Sequence, residues 1–171
     1  MSGIIVSVIV PFLESNNKLI DTLSSISDQK NISQDNIEVL IVDATENTAS
    51  KGTIANMPMC KVIHAKAVEC FSDACNLAAS KAVGRYITVC NCGDTFSNNY
   101  FEDCVKIFDK KAEIPFVAGH RFCVNPVFRE KKDLTKVTLN PALSAFLTIP
   151  TSSTLSLRVH FIKLKFSNLT K

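Results

Sequence analysis

The residues best placed to bind a ligand are Asn91-Cys92-Gly93-Asp94, which follow the apolar run Tyr86 to Cys90 and precede a helical pattern. A polar cluster at the carboxyl end of an apolar strand is where open α/β sheets hold their ligands. Asp43 closes a second apolar run, Asn36 to Asp43, in the same manner, and Pro11, Phe12 and Glu14 close a third that begins at Val6. Each has a plainer alternative. Asp43 can cap the turn that follows it, Asp94 and Asn91 can shape a turn before a helix near Ser97, and Pro11 can simply end a strand. Cys90 and Cys92 would point to one face of a strand, where packing is a better reading than ligation. His64, His120 and His160 lack metal-like spacing, and Arg158 faces either a ligand or solvent.

These residues need elements to position them. Val6 to Phe12 (VSVIVPF) is a β-branched run of strand length. From Asn17 to Asp28, Leu19, Ile20, Leu23 and Ile26 keep helical spacing, with Ser15 or Asn16 available as cap. Asn36 to Asp43 is near-continuously apolar, as a parallel strand covered on both faces would be. Residues 44–58 read as a loop with one short helix, and Cys60 to His64 as a third strand. Ser72 to Val83 predicts a helix capped by Ser72 and closed by a left-handed Gly84. Strand Tyr86 to Cys90 follows. Phe101, Cys104, Val105 and Phe108 then mark a helix with acids in its first turn and Lys110 and Lys111 in its last.

Beyond Pro115 the pattern is less regular. FVAGHRFCV and KVTLN read as short strands, ALSAFL as a helical turn, STLSLRV as a half-buried strand and HFIKLKF as the start of a helix. Strand and helix alternate at least three times in the first 110 residues, which argues an α/β fold with a mostly parallel sheet and helices on both faces.

Composition narrows the field. A chain of 171 residues with 46% hydrophobic and 20% charged residues is the size of one domain. The net charge of +3 is small and the lysines are scattered, which argues against nucleic acid as a partner. The apolar amino end lacks a basic leader and is broken by Pro11 and Glu14, so it reads as a buried strand and not as an export signal or a transmembrane segment. Seven cysteines without a Cys-x-x-Cys pair read as a reduced, cytoplasmic chain. With five glycines and no Gly-x-Gly-x-x-Gly or P-loop after any strand, dinucleotide and P-loop sites are set aside.

Three blocks in order, VSVIVPFLESNNKLIDTLSSISDQ, IEVLIVDATENTAS and CFSDACNLAASKAVGRYITVCNCGDTF, resemble the leading part of a family-2 glycosyltransferase with the GT-A nucleotide-sugar-binding fold. The resemblance runs from about Val6 to Phe108. It implies that Pro11, Phe12 and Glu14 form the first nucleotide-facing turn, with Leu13 where the family has Asn. It implies that Asp43 contacts the nucleotide, with Ala44 in place of a second aspartate, and that Asn76 belongs to an Ala-Arg-Asn element with Cys75 in place of Arg. Asn91 and Asp94 fall on the family's Asp-x-Asp element, which holds Mg2+ or Mn2+ against the diphosphate. Asp94 is then the expected metal ligand, and a divalent metal the expected cofactor, with one carboxylate and the donor's phosphates sharing it.

The same resemblance implies inverting transfer from a nucleotide-sugar, with a UDP-sugar as the expected donor, to a glycan or lipid-linked acceptor in cell-surface polysaccharide synthesis. It divides the single domain into a donor half, residues 1–112, and an acceptor-side region, residues 113–171. It puts the catalytic base beyond Lys171 and the work at the cytoplasm or the inner face of a membrane. The alternative is a binding or assembly module without catalysis, for which self-association through exposed apolar surface is expected.

Overall fold

A computed structural model describes residues 3–14, 18–45, 54, 57–68, 70–111, 114, 116–118 and 160–163. The elements run β1 (Val6–Phe12), α1 (Leu19–Ser27), a 3-10 turn (Gln34–Asn36), β2 (Ile37–Asp43), β3 (Cys60–His64), α2 (Phe71–Ala79), β4 (Tyr86–Val89), α3 (Tyr100–Lys110), β5 (Phe116–Ala118) and β6 (His160–Lys163). The sheet order is β3-β2-β1-β4-β6-β5. The first four strands are mutually parallel, and β6 enters antiparallel between β4 and β5.

The apolar patterns explain why this sheet is covered on both sides. All seven residues of β1 and of β2 are buried, as two-sided coverage requires. On one face Val6, Val8, Val10 and Phe12 of β1 meet Ile37, Val39 and Ile41 of β2, under Leu19, Leu23 and Ile26 of α1 and Phe101, Cys104 and Phe108 of α3. Tyr86 stacks on Phe108 with ring centroids 4.7 Å apart, fixing α3 over β4. On the other face Ile9, Leu40, Val42 and Ile87 pack beneath Ala74, Ala78 and Ala82. Small alanines let α2 lie close to the strands.

Several local expectations change. α1 begins at Leu19 with Lys18 in the N-cap position and no side-chain cap; Ser15 and Asn16 lie outside the described residues. α2 begins at Phe71 after an extended Cys70, so Ser72 is its second residue and not its cap. Gly84 does not take a left-handed backbone, which among the described glycines belongs to Gly93 (φ 97°). A Cβ at position 84 would lie 2.5 Å from Ser7 Oγ and 2.6 Å from Ser7 N, so glycine is needed there for close approach. HFIK forms strand β6 where a helix was expected, because the outer edge of β4 and the edge of β5 offer main-chain partners on both sides. KVTLN, ALSAFL and STLSLRV lie outside the described residues.

Candidate functional site

The carboxyl ends of β2, β1 and β4 lie next to one another. Phe12 pairs with Asp43 and Pro11 with Val42, while β4 ends at Val89 opposite Ile9, after which Cys90 N–H donates to the Ile9 carbonyl at 2.9 Å. The chain then turns through Asn91-Cys92-Gly93-Asp94 at that edge. Asp43 and the Asn91–Asp94 loop therefore flank the end of β1 on its two sides.

Asp43 is buried at 1% exposure. Its Oδ1 accepts from the Thr45 N–H at 2.9 Å and from the Thr45 hydroxyl at 2.5 Å, so it shapes the turn that leaves β2. That is the turn-capping role open to it from sequence. Its own carbonyl accepts from Ala65 N–H at 3.1 Å and so ties this turn to the end of β3, where His64 sits opposite Asp43.

Asp94 is partly exposed. Asn91 Nδ2 donates to its Oδ2 at 3.3 Å, and Asp94 N–H donates to the Asn91 carbonyl at 3.0 Å, making the four-residue turn self-contained. Cys90 and Cys92 both pack with the cluster under α1 and α3, in keeping with their expected role as small apolar residues. Phe12 is 2% exposed and belongs to the same core, while Pro11 is buried and Glu14 is exposed just past the strand. Asn76 is exposed on α2, on the side turned away from the buried Ala74 and Ala78.

The residues that hold this loop were not among those singled out from sequence. Thr22 of α1 is fully buried; its Oγ1 accepts the Gly93 N–H at 2.8 Å and its hydroxyl donates to the Asp94 carbonyl at 2.8 Å. One turn on, Ser25 Oγ accepts the Phe96 N–H at 3.2 Å. Gln29 Nε2 donates to the Ser97 carbonyl at 2.8 Å and its Oε1 accepts the Phe101 N–H at 3.0 Å. Lys30 N–H completes the series on the Asn98 carbonyl at 2.7 Å. The loop is thus bound along one edge of α1, and Phe96, edge-on to Phe101 at 4.9 Å, anchors its middle. The available signal was a run of polar side chains, Thr22, Ser25 and Gln29, at i, i+3 and i+7 beside the apolar stripe.

The donor set does not fit a divalent cation held by protein groups alone. Asp94 is the one carboxylate of the loop, one of its oxygens is engaged by Asn91, and Gly93 offers no side chain. Among the described residues no group of three or more His, Cys, Asp or Glu side chains could hold a metal ion. Desolvation raises the thiols of the half-buried Cys60 and the buried Cys104 to about 11 and that of the half-buried Cys75 to about 12, which disfavours the nucleophilic thiolate at each. No helix among the described residues is long and apolar enough to cross a membrane.

Comparison with known proteins places this architecture. The model of the family described as "Glycosyl transferase family 2" matches residues 7–163. No curated protein matches the chain by sequence. Among solved structures, a mannosyltransferase from Pyrobaculum calidifontis, determined with GDP-Man and Mn2+, superposes with a TM-score of 0.61 at 20% identity over 68% of this chain and 35% of that one. S. aureus TarS residues 1–349 superposes with a TM-score of 0.60 at 20% identity, over 74% of this chain and 40% of that one. The same TarS segment in complex with UDP gives 0.54 at 23% identity, over 64% and 33%. The chain spans well under half the length of each of these structures, and at such identities the likeness is one of fold.

Proposed function

The chain belongs to glycosyl transferase family 2, and from that premise we propose that its strand-end rim binds the nucleotide-diphosphate part of a sugar donor, with a UDP-sugar as the substrate class. The observation that carries this reading is the adjacency of β2, β1 and β4, which brings Asp43 and the Asn91–Asp94 loop to the same edge on the two sides of Phe12. Solved structures of the same fold contain UDP in one case and GDP-Man with Mn2+ in another, which supports a nucleotide-sugar as the ligand class.

In this reading Asp43 and Thr45 line the nucleotide side, and Asp94 with Asn91 lines the diphosphate side. Pro11, Phe12 and Glu14 form the floor between them, and residues 1–112 make the donor half. A divalent cation supplied with the donor would neutralise the leaving diphosphate, with Asp94 as its protein ligand. The transfer is an inverting one. The acceptor hydroxyl of a glycan or lipid-linked sugar attacks the anomeric carbon, its proton passes to a base, and the nucleoside diphosphate leaves. The acceptor side is assigned to residues 113–171, and the work to the cytoplasm or the inner face of a membrane.

A second reading, a nucleotide-binding module without turnover, is favoured by the single carboxylate of the Asn91–Asp94 loop and by the use of Asp43 in its own turn. Titration calorimetry with UDP, UDP-GlcNAc and GDP-mannose, with and without Mn2+, tests the binding claim. Binding that is lost in D94A supports it, and no heat and no thermal shift at millimolar ligand would overturn it. Release of free UDP from a bound UDP-sugar then separates the transferase from the module.

A further inference from the structure

A nucleoside diphosphate brings two to three negative charges to a loop that offers one carboxylate and no protein-built metal site. Something positive has to face it. The only loop position without a side chain, Gly93, is covered by Lys18: a Cβ placed on Gly93 would meet Lys18 Cδ at 3.0 Å, Cβ at 3.2 Å and Cγ at 3.6 Å. The aliphatic stem of Lys18 therefore lies beside Gly93 in the turn between Asn91 and Asp94, and its ammonium is two bonds beyond Cδ. Lys18 is exposed, as a charge that meets a ligand must be.

The placement is held from below. Lys18 occupies the N-cap position of α1, and Thr22, one turn along the same side of the helix, takes the Gly93 N–H and gives its hydroxyl hydrogen to the Asp94 carbonyl. Because Thr22 bonds two successive residues of the turn, α1 and the loop cannot slide past each other without breaking part-buried hydrogen bonds. Gly93 in turn needs a left-handed torsion and an open side to admit the lysine stem.

Resting on the proposed donor binding, we infer that Lys18 is the diphosphate-binding cation of this site and supplies charge neutralisation that the carboxylate-poor loop would otherwise have to obtain from a metal. A lysine ammonium is a compact point charge suited to phosphate oxygens. It would recognise the diphosphate and not the base or ribose.

The test is calorimetric titration of the full chain and its K18Q and K18R variants with uridine, UMP, UDP and GDP, each in EDTA and in Mn2+. K18Q is expected to weaken the diphosphate about tenfold in EDTA while leaving uridine unchanged, and K18R to stay within about threefold of the native chain. Because Lys18 is exposed, the thermal midpoint of unliganded K18Q should match the native one, which separates a binding effect from misfolding. If K18Q binds UDP or GDP as tightly as the native chain, or loses uridine equally, the role of Lys18 is overturned while donor binding stands. If the native chain binds neither diphosphate, the donor-binding reading itself falls, and this inference with it.

Discussion

The hydroxyl of Ser7 donates to the buried carboxylate of Glu38 at 2.6 Å while accepting the Gly84 N–H at 2.8 Å. The two residues sit opposite each other in the register of β1 and β2. The same Glu38 oxygen accepts the Val83 N–H at 2.7 Å, and its other oxygen meets Lys61 Nζ at 2.9 Å. This knot, near the amino-terminal ends of the strands, ties the segment entering β4 to β1 and β2. It sets how far β4 runs before it delivers the Asn91–Asp94 loop.

Removing the Ser7 hydroxyl should therefore cost more than one hydrogen bond. S7A leaves a buried Gly84 N–H and part of a buried carboxylate without their partner, an expected loss of about 1–3 kcal/mol. Urea unfolding monitored by circular dichroism measures it. A loss within error of zero would mean that the knot is not what holds β4.

The knot also sets an acid limit. Burial pushes the Glu38 carboxyl up, but hydrogen bonds from Ser7, Val83 N–H and Lys61 outweigh that and hold it below its ordinary value of 4.5. With the folded value below the unfolded one, the contribution is complete above about pH 4.5 and is lost as pH falls through the folded value. Unfolding free energies measured from pH 7 to pH 3 should fall more steeply in the native chain than in E38Q. Parallel acid limbs for the two would contradict this.

Thr22 offers a cleaner probe of the loop than Asp94 does. T22V keeps the shape but removes both bonds to Gly93 and Asp94, at an expected cost of about 1–3 kcal/mol in stability. UDP affinity should drop in the same variant, because the loop loses its tie to α1. T22S, which keeps the hydroxyl, should restore both. Equal UDP affinity in native and T22V chains would show that the loop holds its shape without α1.

The thiols make a chemical prediction. With Cys75 raised to about 12 and Cys104 to about 11, chiefly by burial, the thiolate fraction at pH 8 is about a thousandth or less. Iodoacetamide followed by mass spectrometry should label both slowly in the native chain and rapidly in urea. Native labelling at the rate of a free thiol would place them at the surface.

Much of the frame was legible because buried parallel strands leave continuous apolar runs. β1 and β3 fall on the expected residues and β2 within one of them, and the stripe Phe101, Cys104, Phe108 marks the buried side of α3. Helix starts were less legible, because neither α1 nor α2 uses a side-chain cap and the expected cap residues gave no boundary. Gly84 reads locally as a helix closer, whereas its reason lies 77 positions earlier in Ser7. HFIK carries spacing compatible with helix or strand, and open edges in the sheet decide between them. At the rim, residue types pointed to Asp43 and Asp94. The polar contacts that shape the loop come from α1, across some 70 residues of chain, where local pattern carries no information.

The position of β6 bears on how the chain matures on the ribosome. Its residues, 160–163, are synthesised well after β5 at 116–118, yet they fill the slot between β5 and β4. A nascent chain that has emerged only as far as β5 carries a β4 whose outer edge has no neighbour and a β5 with nothing to join. Edges of that kind recruit other chains. Translation that halts before residue 160 should thus yield aggregate, because β6 is then missing from its place between β4 and β5.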